Sequence, residues 1–371
     1  MQPAIELAAP PNLGVSTAGR VLSLDVFRGA TIASMILVND PGSWNAVYAP
    51  LLHAEWHGWT FTDTVFPLFL WIAGVSLTLS FARRVERGDD RRRLLLHVLR
   101  RSGLIFALGL FLNAMPRFDF STLRIPGVLQ RIAICYVIAA TIFLFTKTAR
   151  ARILWIAGLL AAYWVLMMGA GAGVLTPEEN LSARVDRMLL SGHMYSQTKT
   201  WDPEGTISTL PSIATVLFGV LCGMLLRARL TEPERTAWMF LAGNLLIFAG
   251  LMLSTWMPIN KKIWTTPFSV FMAGLAFVVF AAWYWLIEVQ GWRRGTRALM
   301  IYGMNAIAVY VFAGVLSRLL SMTGAGAWLW TTVYAPLAPA KLASLLFAIT
   351  FVLVCYSFAW MLYKRNWFVR L

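Results

Sequence analysis

The sequence predicts an all-α polytopic membrane protein, a single bundle of about ten transmembrane helices with both termini cytoplasmic. Three observations carry this expectation. The chain is 58% hydrophobic and only 13% charged, with a mean hydropathy of +0.66, whereas a soluble domain has about 25% charged residues. Apolar runs of the roughly 17–25 residues needed to span a bilayer recur along the whole length. The Lys and Arg residues gather in alternate loops between those runs, which is how orientation is encoded in membrane proteins.

The runs lie near 22–39, 62–82, 98–115, 127–146, 153–174, 207–226, 236–256, 266–287, 298–317 and 342–362. The first carries Arg28 and the third begins beside Arg100 and Arg101; both can still span, because arginine near a helix end snorkels to the headgroups. Of the 32 Lys and Arg, 21 fall in one set of alternate loops and the termini, including the cluster Arg83 to Arg101. Nine fall in the other set, and Arg28 and Arg131 lie within runs. By the positive-inside rule the richer set is cytoplasmic. Residues 1–20 then form an N-terminal cytoplasmic tail, lacking the basic start and apolar core of a signal peptide. Residues 21–371 form one transmembrane domain.

The net charge of +15 is explained by these loop clusters, so nucleic acid is not an expected partner; membrane lipid is. Cys135, Cys222 and Cys355 each lie in an apolar run without CxxC spacing, which indicates neither a disulfide framework nor a thiolate metal site. No Walker A, dinucleotide GxGxxG or HExxH pattern is present.

The first external loop holds the most unusual chemistry, His53-Ala-Glu-Trp-His-Gly-Trp-Thr-Phe-Thr-Asp63, leading into the second run. Titratable groups at the mouth of a membrane helix point to a functional site. His53 and His57 are spaced i, i+4, as in a two-histidine metal site, but no further histidine is nearby and no metal is expected. An imidazole can take and return a proton near neutral pH, with Glu55 or Asp63 to orient it. The alternative is an aromatic belt of Trp44, Trp56 and Trp59 in which the histidines only meet headgroups.

Other polar residues stand out against the apolar background. Asp25 and Arg28, at i, i+3, can pair within the first run. Arg124 and Arg131 are seven residues apart, so both can face one side of a helix, and Arg131 within the membrane calls for an anion, either an acid or a ligand phosphate. Gln130 precedes Arg131. Asp202 and Glu204 end the long external loop 175–206, Asn260 and Lys261 lie in the loop 257–265, and Asn305 sits inside the ninth run. These residues are expected to collect in one cavity.

Six blocks carry a family resemblance: Ser23-Leu-Asp-Val-Phe-Arg-Gly29, the His53 to Thr60 stretch with Asp63, Gly127-Val-Leu-Gln-Arg-Ile132, Trp201-Asp-Pro-Glu-Gly205, Pro258-Ile-Asn-Lys-Lys-Ile-Trp264 and Gly303-Met-Asn305. In this order they resemble the heparan-α-glucosaminide N-acetyltransferase family. The resemblance implies a transmembrane acyltransferase that carries an acetyl group from cytosolic acetyl-CoA to a glucosamine-type amino sugar across the membrane. It implies that His53 is the active-site histidine, with Asp63 in support; no role passes to His57. Arg28, Arg124 and Arg131 become candidates for phosphate or carboxylate contacts, and Asn260 or Asn305 for donation to the thioester oxygen. The family pattern further suggests a prokaryotic-type member without the luminal N-terminal region, located in a bacterial inner membrane, with room for a homodimer. A transporter of amino sugars or organic anions, or an inactive sensor or scaffold, are the competing classes.

Overall fold

The computed structural model describes residues 21–171 and 175–368. The expected tail 1–20, with Arg20, and Arg370 at the other terminus lie outside the described residues. The helices are α1 (Leu22–Asn39), α2 (Phe61–Glu86), α3 (Arg91–Ala114), α4 (Val128–Phe145), α5 (Ala149–Met168), α6 (Leu181–Leu190), α7 (Thr209–Arg227), α8 (Glu232–Leu253), α9 (Thr266–Tyr284), α10 (Thr296–Met304), α11 (Ala306–Met322), α12 (Ala325–Trp328) and α13 (Ala340–Lys364). Among the described residues nine are long and apolar enough to cross a membrane, and α10 with α11, bent by 81°, passes the same test as a pair, with the geometry of a broken span or a re-entrant loop. No strand forms among them.

Three differences from the expected segments have local causes. Helix α3 starts at Arg91 rather than near 98, because the Asp90 carboxylate accepts the Arg92 amide (3.0 Å) and caps an arginine-rich turn outside the apolar part. The loop 175–206 contains α6, started by Asn180, whose side-chain oxygen accepts the Ala183 amide at 2.9 Å. The ninth run is broken at Asn305, so that residue stands at a bend rather than within a continuous helix.

The span of α7 is 72% buried and that of α8 only 22%, which separates an inner group (α1, α2, α4, α7, α9) from outer, lipid-facing helices. Lipid gives no hydrophobic drive for helix association, so close contact depends on small residues. At the α2–α7 crossing a Cβ on Gly74 would lie 1.9 Å from the Val216 carbonyl oxygen, and one on Gly219 would lie 1.9 Å from that of Trp71. Gly219→Val should therefore destabilise the bundle by about 3 kcal/mol, read as a fall in melting temperature of the purified protein.

The helix ends assemble in the alternation that the loop charges imply. At one end Arg227 on α7 meets Glu86 on α2 (2.7 Å), and the Ser23 amide of α1 donates to Glu288 beyond α9 (2.9 Å). At the other end the Gly58 amide donates to the Ile259 carbonyl (2.7 Å), fastening the loop before α2 to the loop before α9.

Candidate active site

Helix α2 begins with Thr60 as N-cap and Asp63 three residues on, and the Asp63 carboxylate reaches back over that start. Its Oδ2 accepts the amides of Thr60 and Ala54, each at 3.0 Å. Its Oδ1 lies 2.6 Å from Nδ1 of His53. One buried carboxylate, 1% exposed, thus caps α2, closes the 54–60 loop and orients an imidazole that is 43% exposed. A carboxylate that accepts two amides acts as an acceptor, so Nδ1 carries the proton and Nε2 is left with a lone pair.

His53 lines a cavity of about 450 Å3. The stretch between Tyr195 and Glu204 also lines it, as do Lys261 and Lys262. A second cavity of about 210 Å3 adjoins it, the two sharing Met35, Asn39 and Val128. Gln130 faces this second space in a slot beside Gly109 and Gly127, where an added Cβ would meet its carboxamide. Its Nε2 is buried with no hydrogen-bond partner.

Arg124 is held by acids. Its Nε and Nη2 donate to the two oxygens of Asp202 (2.9 and 2.7 Å), Nη2 also reaches Glu204 (2.6 Å), and the ring of Tyr195 lies 4.6 Å from the guanidinium carbon. Burial opposes the charge, but the two carboxylates raise the Arg124 pKa well above its ordinary value. Asp202 also accepts the amides of Tyr195 and Glu204 (each 2.9 Å), making it a loop anchor more than a ligand contact. Arg124→Ala would leave two acids buried and unpaired, an expected cost of about 3–5 kcal/mol, measurable as a lower melting temperature. Burial raises the Glu204 pKa, but Arg124 and the neighbouring cations more than offset this and hold it below 4.5. That contribution to stability is complete above pH 4.5 and is lost as the pH falls through the lowered value. The wild type should lose melting temperature more steeply than Glu204→Gln in that acid range.

Of the two anions expected for Arg131, a structural acid makes no direct bond to it among the described residues. Arg131 is fully buried, donates to the Gly205 carbonyl (2.9 Å) and the Ser208 hydroxyl, and stacks 5.3 Å from the Trp264 ring. Its Nε and Nη1 have no partner among the described residues. Asn260 is likewise occupied: its Oδ1 accepts the amides of Lys262 (2.8 Å) and Ile263 (3.1 Å), and its Nδ2 lies 3.3 Å from Nδ1 of His57. Burial lowers the His57 pKa, leaving the ring neutral and able to accept at neutral pH. The two histidines of the loop therefore serve different partners. Among the described residues no group of three or more His, Cys, Asp or Glu is placed to hold a metal.

The single cavity expected to gather all the polar residues does not form. Arg28 bonds Asp25 (3.0 Å), Ser76 (2.7 Å) and the Gly303 carbonyl (3.4 Å). Ser76 is thirteen residues beyond Asp63 on α2, about 20 Å along the axis. Asn305, two residues from Gly303, donates to the Trp367 carbonyl at 3.1 Å. Both belong to the half of the bundle away from His53, because helix direction, invisible in a residue count, carries positions 25–28 and 303–305 to the other end. Asn39, the last residue of α1, was not among the sequence candidates yet lines both cavities near His53. The polar end Asn39-Asp40-Pro41 on an otherwise apolar run was its signal. Asp186 on α6 gave none: buried, it accepts the Thr206 amide (2.8 Å) and raises no pattern in the sequence.

A family model described as heparan-alpha-glucosaminide N-acetyltransferase, catalytic, matches residues 20–257. This chain belongs to that family. The human heparan-alpha-glucosaminide N-acetyltransferase is 27% identical over 350 residues, covering 79% of this chain and 52% of the relative. The mouse protein of the same name is 28% identical over 366 residues, covering 83% and 55%. The chain spans about half the length of the curated relatives it matches. The family match contains His53, Asp63, Arg124, Gln130, Arg131, Asp202 and Glu204, and ends before Asn260.

Proposed function

We propose that this chain is a transmembrane acyltransferase moving an acetyl group from cytosolic acetyl-CoA to the amine of a glucosamine-type sugar on the external face. The observation that carries the reading is the His53–Asp63 pair at 2.6 Å, open to a cavity of about 450 Å3. The acceptor sugar occupies this cavity between His53 and the Tyr195–Glu204 wall. His53 Nε2 takes the proton as the amine attacks, Asp63 stabilises the imidazolium that results, and as the C–S bond breaks that proton passes to the departing coenzyme A sulfur. Asn39 stands where the two cavities meet, and its carboxamide can donate to the oxygen on which charge develops.

Acetyl-CoA supplies the activated thioester carbonyl. The residues present fit it: the unpartnered Nε2 of Gln130, with Asn113 beside it, borders a space suited to an amide-bearing arm. At the basic end Arg83, Arg227 and Arg235 border a cavity of about 500 Å3 with Glu232 and Glu288; phosphates entering it would compete with Glu86 for Arg227 and with Glu232 for Arg235. The basic end is the cytoplasmic one in this reading, residues 1–20 are its tail, and 21–371 form the acyltransferase domain in a bacterial inner membrane.

Two adjoining cavities allow donor and acceptor to be bound at once, which favours direct transfer over an acetylated histidine. Acid quenching after incubation with labelled acetyl-CoA alone should leave the protein unlabelled; a stable label on His53 would reverse this preference. The function itself is tested with purified protein in nanodiscs. Acetyl-CoA and glucosamine should yield N-acetylglucosamine, and failure with every amino sugar tried would overturn the assignment.

A further inference from the structure

A third cavity, about 400 Å3, also begins at Asn39 and has no part in the transfer just described. Its inner end is polar, formed by Asn39, Asp40 and Ser317, the three residues it shares with the Gln130 cavity. Its outer end is apolar, formed by Trp330, Phe347 and Phe351. Phe347 and Phe351 lie seven and eleven residues into α13, about 10 and 16 Å along the axis. A 25-residue helix that spans a core about 30 Å thick holds both rings within the hydrocarbon.

The segment over this cavity supports the same placement. From Ala325 to Ala338 there is no charged residue, and Trp328 and Leu337 are 59% and 66% exposed. A charge-free helical stretch rich in Trp and Tyr at the end of a bundle lies in the membrane interface. The cavity beneath it therefore runs from the interface to Asn39, the residue at which it meets the His53 cavity. A water-borne sugar has no use for an apolar end at that depth, whereas a polar head on a hydrocarbon chain matches both ends. The acid in this neck, Asp40, has the Ser317 hydroxyl and the Arg318 guanidinium beside it, so the neck offers hydrogen-bonding groups of both signs to a polar head.

We propose that this cavity is a lateral portal for a lipid-linked amino sugar, whose chain stays against Trp330, Phe347 and Phe351 while its head reaches His53. The inference rests on the proposed acyl transfer for its chemistry, and its test has an arm that does not. Alkyl β-glucosaminides from methyl to dodecyl are offered to the protein in nanodiscs, as wild type and as Ser321→Trp, which places a large ring in the same cavity. Partition into the bilayer lifts both proteins equally, so the ratio of dodecyl to methyl kcat/KM is compared between them. The wild-type ratio should exceed that of Ser321→Trp by about tenfold or more; equal ratios would overturn the portal while leaving the transferase reading intact. Independently of turnover, a dodecyl glucosaminide with a photoreactive group at its chain end should label peptides containing Trp330, Phe347 or Phe351, and excess unlabelled compound should remove that label. Labelling spread over the lipid-facing α5 and α8 and unaffected by competitor would mean bulk lipid contact only and would also overturn the proposal.

Discussion

His53→Ala should lower kcat for acetyl transfer by about 10²–10⁴-fold, the usual worth of a positioned general base, with the melting temperature nearly unchanged. The ring is 43% exposed on the cavity wall, so its removal leaves no buried void. Acceptor KM should change little, since the imidazole acts on the proton lost during attack rather than on the bound sugar. Initial-rate kinetics over both substrates separates these terms. An unchanged kcat would place the chemistry elsewhere.

Asp63→Asn should reduce kcat by a similar factor, about 10²–10⁴-fold, and unlike the His53 change it should also cost stability. An amide in place of the carboxylate can offer its nitrogen to Nδ1 of His53, which moves the ring proton to Nε2 and removes the lone pair facing the cavity. The same carboxylate accepts the Thr60 and Ala54 amides, so the start of α2 loses part of its cap, about 1–2 kcal/mol. A fall in both kcat and melting temperature distinguishes Asp63 from His53. Asp63→Ala, which cannot fix either tautomer, should be no more active than Asp63→Asn.

The helix count and the alternation of basic and neutral ends were legible in the sequence because hydropathy and loop charge are summed over many residues. The His53–Asp63 pair was legible in part: spacing left Glu55 and Asp63 both open as the acid beside His53, and the cap at the start of α2 is what brings Asp63 to the ring. The remaining polar residues were legible as unusual but not as to place. Arg28 and Arg124 look alike in sequence, yet one is held by Asp25 and Ser76 and the other by Asp202 and Glu204, at opposite ends of the bundle. Asn260 has the look of a free donor until its turn shows both ends of its amide in use. Arg131 was expected to meet an acid or a ligand phosphate; its direct partners among the described residues are an indole face, a hydroxyl and a carbonyl, which no spacing rule identifies.

Transfer across the bilayer can be followed in sealed vesicles. Labelled acetyl-CoA is enclosed on the side of the arginine-rich loops and glucosamine is supplied outside. The predicted result is labelled N-acetylglucosamine in the outer medium from the wild type and almost none from His53→Ala. Glucosamine entering the vesicles unmodified, with no acetylated product in either orientation, would contradict it.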